Sequence, residues 1–369
     1  MLGPIARWDR GGYRDRFASG AWSGWGVTNR TRIGTSVAVT VLFLWLAVRN
    51  VDVGAAKTAL SEANYSFLLP AAICTIVGFW IRAIRWNRIL APMQDIPAQR
   101  LFPIMMVGFA ANNIIPARIG ELARIYLTGS RERVSRTGAL ATLIVERVCD
   151  GVTLLAMLTV TLTIFPVPAD ERGLRTVILV ATVVFGLATV MVTAMLVVPS
   201  PFFALGQRVA KRLPVRFGGK VEGLMESFLL GLQSLRGPRA LAEIAVLSLG
   251  AWMMEWATYA FVLLAFPLGL SWAEWLAAAT FLVVFVNLGI MLPSAPGYVG
   301  TYQFFATLAL GAFGVGASSA FSLALVAHAM QYVLITSTGL LCLSRLGLTP
   351  ARLGKLAPAR RTIANEPST

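Results

Sequence analysis

The sequence predicts an all-α integral membrane protein, with about six spanning helices and two re-entrant helical hairpins arranged as an inverted repeat. The 369 residues are 57% hydrophobic and only 13% charged, with a mean hydropathy of +0.71. That charged fraction is roughly half of the value typical of soluble domains. Several apolar segments reach the roughly 20 residues that a spanning helix needs, and two others are interrupted near their middles.

The pattern divides the chain into a basic arm (1–32), a membrane domain (33–345) and a basic tail (346–369). The membrane domain has two halves, at about 33–165 and 174–345. We predict the spanning helices at about 33–49, 65–84, 138–165, 174–198, 240–264 and 318–344.

The two interrupted segments, 101–127 and 275–312, are each predicted to fold as a helical hairpin, because proline and polar residues stop a regular helix. Arms of about 12 to 16 residues reach about 18 to 24 Å, past the middle of a roughly 30 Å hydrocarbon core. We therefore expect the two tips to meet in the membrane. The residues predicted to shape these turns are Pro116, Gly120, Pro293, Pro296, Gly297 and Gly300.

The basic residues predict the orientation of the chain. Most of the 32 Lys and Arg residues fall in segments that the span pattern places on one side, including the loops 82–100 and 199–239. Positive loops are typically cytoplasmic, so we expect both termini inside a bacterial-type cytoplasmic membrane. The net charge of +15 then reflects membrane orientation, and we expect no nucleic-acid partner.

The sequence also argues against metal and disulfide chemistry. It has one His and three Cys, and each Cys lies inside an apolar stretch without a zinc-ligand spacing. We expect no metal and no cofactor.

Ionisable residues inside membrane segments are costly and usually face a cavity or a partner. Here they concentrate at Arg118, Glu121 and Arg124 in the first hairpin and at Glu146, Arg147 and Asp150 in the third span. Glu146 and Asp150 are four residues apart and share a helix face, whereas Arg147 is expected to point elsewhere. We interpret the six residues as a binding site for an anionic or zwitterionic lipid headgroup. The alternative is a set of structural ion pairs.

Polar residues at the hairpin tips extend this candidate site. Asn112 and Asn113 are expected to cap free backbone groups, and Asn113 is also a candidate binding residue. Tyr298 and Gln303 supply polar groups at the second tip. His328 in the last span is interpreted as an interhelical hydrogen-bond partner, with a proton relay as the alternative.

Three motifs occur in order: Asn113-x2-Pro116-x-Arg118-x-Gly120-Glu121-x2-Arg124, Glu146-Arg147-x2-Asp150, and Pro293-x2-Pro296-Gly297-x2-Gly300. In these residues the sequence resembles the lysylphosphatidylglycerol synthase transmembrane, or flippase-like, family. The resemblance covers most of 33–345 and implies a lipid-translocating membrane domain. It also implies, for bifunctional members, a following soluble aminoacyl-transferase domain. Since this sequence ends at Thr369, we expect a stand-alone member. Gln303 stands where the resemblance implies an acidic residue.

We predict a lipid flippase or transporter, and not an enzyme, that moves a phospholipid or polyprenyl-phosphate lipid between leaflets by alternating access. Its partner is a membrane lipid. Proton coupling through Glu121, Glu146 or Asp150 and a homo-oligomeric state both stay open. The alternatives are a membrane enzyme that uses Glu146 or Asp150, and an accessory scaffold of lipid or cell-envelope metabolism. Glu255, beside Trp252 on the fifth span, is expected to line the outward half of the cavity.

Overall fold

A computed structural model describes residues 29–115, 119–132, 134–165, 237–291 and 296–348, and isolated positions at 179, 183, 187, 204, 207 and 208. Within the continuous ranges there are ten α-helices and no strand. They are α1 (Asn29–Val48), α2 (Val53–Glu62), α3 (Leu68–Leu90), α4 (Ala98–Ile114), α5 (Ile119–Arg131), α6 (Arg136–Ile164), α7 (Pro238–Leu264), α8 (Trp272–Met291), α9 (Thr301–Gly311) and α10 (Ala317–Arg345).

Among the described residues, four helical stretches are long and apolar enough to cross a membrane: Tyr65–Leu90 and helices α7, α8 and α10. The bent pair Val37–Val48 and Val53–Glu62, with an angle of 81° between its helices, is a fifth candidate. The prediction of an all-α membrane protein is confirmed. The count of six spans stays a prediction, because the predicted span 174–198 lies mostly outside the described residues, as do the basic arm, the loop 199–239 and most of the basic tail.

Both interrupted segments form pairs of helices that pack against each other. In the first hairpin α4 has 17 residues and α5 has 13, and residues 116–118 between them lie outside the described residues. In the second hairpin α8 has 20 residues and α9 has 11. Helix α8 is thus longer than the predicted arm and, at 1.5 Å per residue, reaches about 30 Å.

The helix contacts follow the predicted two-fold repeat. Exchanging α3, α4, α5 and α6 for α7, α8, α9 and α10 converts each packed pair of these helices into another packed pair. For example, α3–α4 becomes α7–α8, α5–α6 becomes α9–α10, and α4–α10 becomes α8–α6. The α3–α7 contact maps onto itself and joins the two halves at the centre.

One predicted loop boundary is wrong. The loop 82–100 was expected to begin at Arg82, but α3 continues to Leu90 and carries both Arg82 and Arg85 into the interior. Arg85 is fully buried, with 0% of its side chain exposed. Carboxylates on neighbouring helices compensate these charges, so the end of the apolar run is not the end of the helix.

Candidate functional site

A cavity of about 170 Å³ lies where the two hairpins meet the central helices. Its lining comes from helices α3, α4, α5 and α6 of the first half, and from α7, α8, α9, α10 and the turn at Tyr298 of the second half. The predicted site residues that line it are Asn113, Glu121, Arg124, Arg147, Asp150 and Tyr298. Its charged groups come from both halves of the chain, because Glu255 of α7 also lines it.

The predicted meeting of the hairpin tips is confirmed by the surroundings of Gly297. This residue has a φ of +71°, and a Cβ added to it would lie 2.7 Å from the ring of Tyr332 and 3.5 Å from the carbonyl oxygen of Asn113. Glycine tolerates this backbone conformation and leaves room for the neighbouring groups. The turn of the second hairpin consequently lies directly against the end of α4 in the first.

Asn112 caps the second arm of the first hairpin, as predicted. Its Oδ1 accepts a hydrogen bond from the backbone N–H of Gly120, at 2.8 Å. A Cβ on Gly120 would lie only 1.8 Å from the carbonyl oxygen of Gly108, so glycine permits the close approach of α4 and α5. Asn113 instead donates from Nδ2 to the hydroxyl of Thr336 on α10, at 3.0 Å. It ties the first hairpin to the other half.

A buried network of charges extends inward from the cavity lining and consists of Arg85, Arg124, Glu146, Arg147 and Asp150. Arg124, Arg147 and Asp150 line the cavity, whereas Arg85 and Glu146 lie deeper. Glu146 has 1% of its side chain exposed. Its two oxygens accept hydrogen bonds from the two terminal nitrogens of Arg124, at 3.2 and 2.9 Å. Arg85 lies 2.7 Å from Asp150 and 3.9 Å from Glu146. The guanidinium of Arg124 also stacks over Trp86, at 4.2 Å from the ring centre. Short, bidentate contacts of this kind are among the strongest hydrogen bonds in proteins.

The expectation that Arg147 points away from this network is wrong. Its Nη2 lies 3.0 Å from Glu146 and 3.5 Å from Asp150, although 47% of its side chain is exposed. The long side chain bends back along α6, so the position of its Cα does not determine where its charge lies. Arg147 consequently joins the buried network to the cavity surface.

Three guanidinium groups share two carboxylates in this network. Arg85 Nε, Arg85 Nη2 and Arg124 Nε are buried without a hydrogen-bond partner. Unsatisfied buried polar groups are rare in native proteins and call for an explanation.

A further ion pair of the cavity lining joins Arg82 of α3 to Glu255 of α7 at 3.3 Å. Gln331 of α10 donates to the other oxygen of Glu255 at 3.4 Å. Trp252, one turn before Glu255, donates from its indole nitrogen to Asp150 at 3.1 Å. The expectation that Glu255 lines the cavity is confirmed, whereas its placement in an outward half stays a prediction.

A chain of hydrogen bonds fastens the tip of the second hairpin. The backbone N–H of Gly300 donates to Oε1 of Gln303 at 2.8 Å, which leaves the amide nitrogen of Gln303 facing Nδ1 of His328 at 2.9 Å. Nε2 of His328 then donates to the carbonyl of Gly297 at 2.6 Å. These partners select a neutral imidazole protonated on Nε2. The interpretation of His328 as a hydrogen-bond partner is confirmed.

Two predicted residues do not reach the cavity, and one lies outside the described residues. Glu146 is buried behind the guanidinium groups, and Gln303 is buried in the second hairpin, where it binds His328. Arg118 belongs to the segment 116–118 that the structure does not describe, and Pro116 and Pro293 are likewise outside the described ranges.

Sequence reasoning missed Arg82 and Arg85 because it assigned them to a loop. The available signal was their spacing of three residues at the end of an apolar helix, which places both on one face. Among the described residues, no group of three or more His, Cys, Asp or Glu side chains is arranged to hold a metal ion.

Comparison with known proteins agrees with this architecture. The chain is 27% identical over 331 residues to "Glycosyltransferase AglD" of Haloferax volcanii, an alignment that covers 83% of this chain and 53% of the relative. It is 28% identical over 117 residues to "UPF0104 membrane protein" of Methanothermobacter thermautotrophicus, which covers 31% of this chain and 35% of that relative. The chain thus spans about half the length of the first relative and a third of the second. The family described as "Lysylphosphatidylglycerol synthase TM region" matches residues 33–339. With most of its length matched in this way, the chain belongs to that family of membrane proteins.

Proposed function

We propose that this protein is a lipid flippase that moves a phospholipid or a polyprenyl-phosphate lipid between membrane leaflets by alternating access. The observation that carries the proposal is the charged cavity of about 170 Å³ between the tips of two hairpins in an otherwise apolar bundle. Inverted repeats whose broken helices meet at a polar site are typical of secondary transporters. The proposal includes a cytoplasmic membrane location with both termini inside.

The size of the cavity favours a headgroup as the bound part of the lipid. Pockets for drug-sized ligands measure roughly 300–1,000 Å³, so a cavity of about 170 Å³ is too small for acyl or prenyl chains. The chains would stay in the bilayer while the headgroup enters the cavity. Guanidinium groups recognise phosphate oxygens in a bidentate manner, and Arg147 presents such a group at the cavity surface.

The charges support an anionic or zwitterionic headgroup. Arg147 and Arg82 offer positive charge, while Glu121 and Glu255 offer negative charge on the same cavity. Glu146 and Asp150 are already held by arginines, which leaves Glu121 as the carboxylate best placed to bind a cationic group or to carry a proton.

A leaflet-exchange assay tests the proposal. Purified protein is reconstituted into vesicles with fluorescent phosphatidylglycerol, phosphatidylethanolamine or a polyprenyl phosphate, and the accessible fraction is measured by chemical quenching. We expect faster exchange than in protein-free vesicles, slowed about tenfold by Arg147→Gln, which corresponds to about 1.4 kcal/mol. Arg88→Gln is the matched control, since Arg88 pairs with Glu243 away from the cavity. Absence of exchange for all three lipids would refute the proposal.

A second candidate function is participation in glycosyl transfer to a lipid, which the name of the Haloferax volcanii relative favours. In that case this chain would be an enzyme or an accessory scaffold for an enzyme. Formation of labelled glycolipid from a nucleotide sugar and a polyprenyl phosphate by the purified protein would support it. Asp150→Asn, in a variant shown to be folded, would then abolish the product if Asp150, which lines the cavity, were the general base.

A further inference from the structure

Ion pairs within one half of the chain must be distinguished from those that join the two halves. The buried network belongs to helices α3, α5 and α6 of the first half. Among the described residues, two ion pairs connect the halves, and both join α3 to α7: Arg82–Glu255 and Arg88–Glu243. The second is on the surface, with 53% and 41% of the two side chains exposed. Arg82–Glu255 lines the cavity, and we call it the cross-half pair.

The cross-half pair is held more loosely than the buried network. Both terminal nitrogens of Arg82 reach the same oxygen of Glu255, each at 3.3 Å. Charge-assisted hydrogen bonds of this type usually measure about 2.7–2.9 Å, as the Arg85–Asp150 contact and the shorter of the two Arg124–Glu146 contacts do. With 9% and 12% of the two side chains exposed, an incoming anion can reach the guanidinium.

Aromatic rings hold the guanidinium of Arg82 independently of Glu255. It lies 5.3 Å from the ring centre of Phe79 and 4.9 Å from that of Trp252. Cation–π contacts at these distances are attractive. Trp252 is itself fixed by its hydrogen bond to Asp150 at 3.1 Å. If Glu255 moves away, Arg82 therefore keeps its position at the cavity.

We infer that Arg82 is a second anion-binding group of the cavity and that Glu255 is its exchangeable counter-ion, displaced by the phosphoryl group of the lipid. This inference rests on the proposed function. Two phosphate oxygens then accept hydrogen bonds from the two terminal nitrogens of Arg82. Glu255 still accepts its hydrogen bond from Gln331. Headgroup binding thereby breaks an ion pair between the halves. A ligand shifts a conformational equilibrium only through such a difference in affinity.

The inference is tested by binding to detergent-solubilised, full-length protein. The probe is fluorescent phosphatidylglycerol, with unlabelled phosphatidylglycerol and inorganic phosphate as competitors that separate a lipid from a free anion. We expect Arg82→Gln to weaken binding about tenfold and Glu255→Gln to strengthen it about threefold or more, because the competing carboxylate is gone. The controls are Arg88→Gln and Glu243→Gln, which alter the other pair on the same two helices.

Leaflet exchange provides the second measurement. Glu255→Gln should slow exchange while tightening binding, because the headgroup is released less easily when no carboxylate competes for Arg82. If both cavity variants behave like the surface controls while wild-type protein binds and moves lipid, the inference is wrong and the proposed function stands. Absence of binding and exchange in wild-type protein would instead refute the proposed function. A thermal-unfolding midpoint for each variant shows whether it is folded, and weaker binding by Glu255→Gln in a folded protein would also overturn the inference.

Discussion

Replacing Glu146 by glutamine is expected to destabilise the protein far more than any other single change of a carboxylate considered above. Glu146 accepts from Arg124 at 2.9 and 3.2 Å and from Arg147 at 3.0 Å, and its side chain is 1% exposed. In Glu146→Gln, Asp150 is the one carboxylate left in the network to compensate its three guanidinium groups. Breaking a buried ion pair on one side costs about 3–5 kcal/mol, against a typical total stability of about 5–15 kcal/mol.

The assay is thermal unfolding in detergent, followed by tryptophan fluorescence, with lipid binding measured below the transition. Glu243→Gln, on an exposed surface pair, is the matched control and should change stability by less than about 1 kcal/mol. The double variant Arg124→Gln/Glu146→Gln should recover part of the loss, because it removes the uncompensated cation as well. If Glu146→Gln is as stable as Glu243→Gln, the network does not stabilise the fold and this reasoning is refuted.

Three further predictions concern the hairpins. Gly120→Ala should lower the unfolding midpoint strongly, because the added Cβ would lie 1.8 Å from the carbonyl oxygen of Gly108. Gly311→Ala is the control, since a Cβ there meets no atom within 4 Å. Equal effects of the two substitutions would contradict the close packing. Asn112→Ala should cost about 1 kcal/mol through loss of the cap, measured by the same unfolding, and an unchanged midpoint would argue against capping. Gln303→Glu removes the N–H donor to His328, so its unfolding midpoint should fall. An unchanged midpoint would count against the hydrogen-bond chain.

The two sets of charges have different consequences for movement. The buried network holds α3, α5 and α6 together within one half, which suits a unit that moves as a rigid body. The cross-half pair joins α3 to α7 and must change if the halves move apart. The hydrogen-bond chain through His328 holds the second hairpin tip to α10 in the same half. Rocking of the halves therefore requires that the cross-half pair and the packing of α3 on α7 change together.

The sequence by itself determined the fold class and the approximate position of the site. Apolar length predicts helices because every backbone polar group in a membrane must be satisfied internally. Proline and asparagine at the breaks predict the two hairpins, and the motif around Glu121 predicts where charge gathers. These features depend on local properties of the chain, so they can be read without a structure.

Only the tertiary structure decided which charges meet. Arg82 and Arg85 of α3 pair with Glu255 of α7 and Asp150 of α6, which are distant in sequence, so these pairings depend on how the three helices cross. Flexible side chains add to the difficulty, as Arg147 bends back to Glu146 against the expectation from helix periodicity. Hydropathy likewise places the end of the second span at residue 84, whereas α3 continues to Leu90. In the sequence, a buried arginine with a carboxylate partner cannot be told from the start of a polar loop. Periodicity determines which face a residue occupies, whereas partners from other helices determine whether its charge is buried.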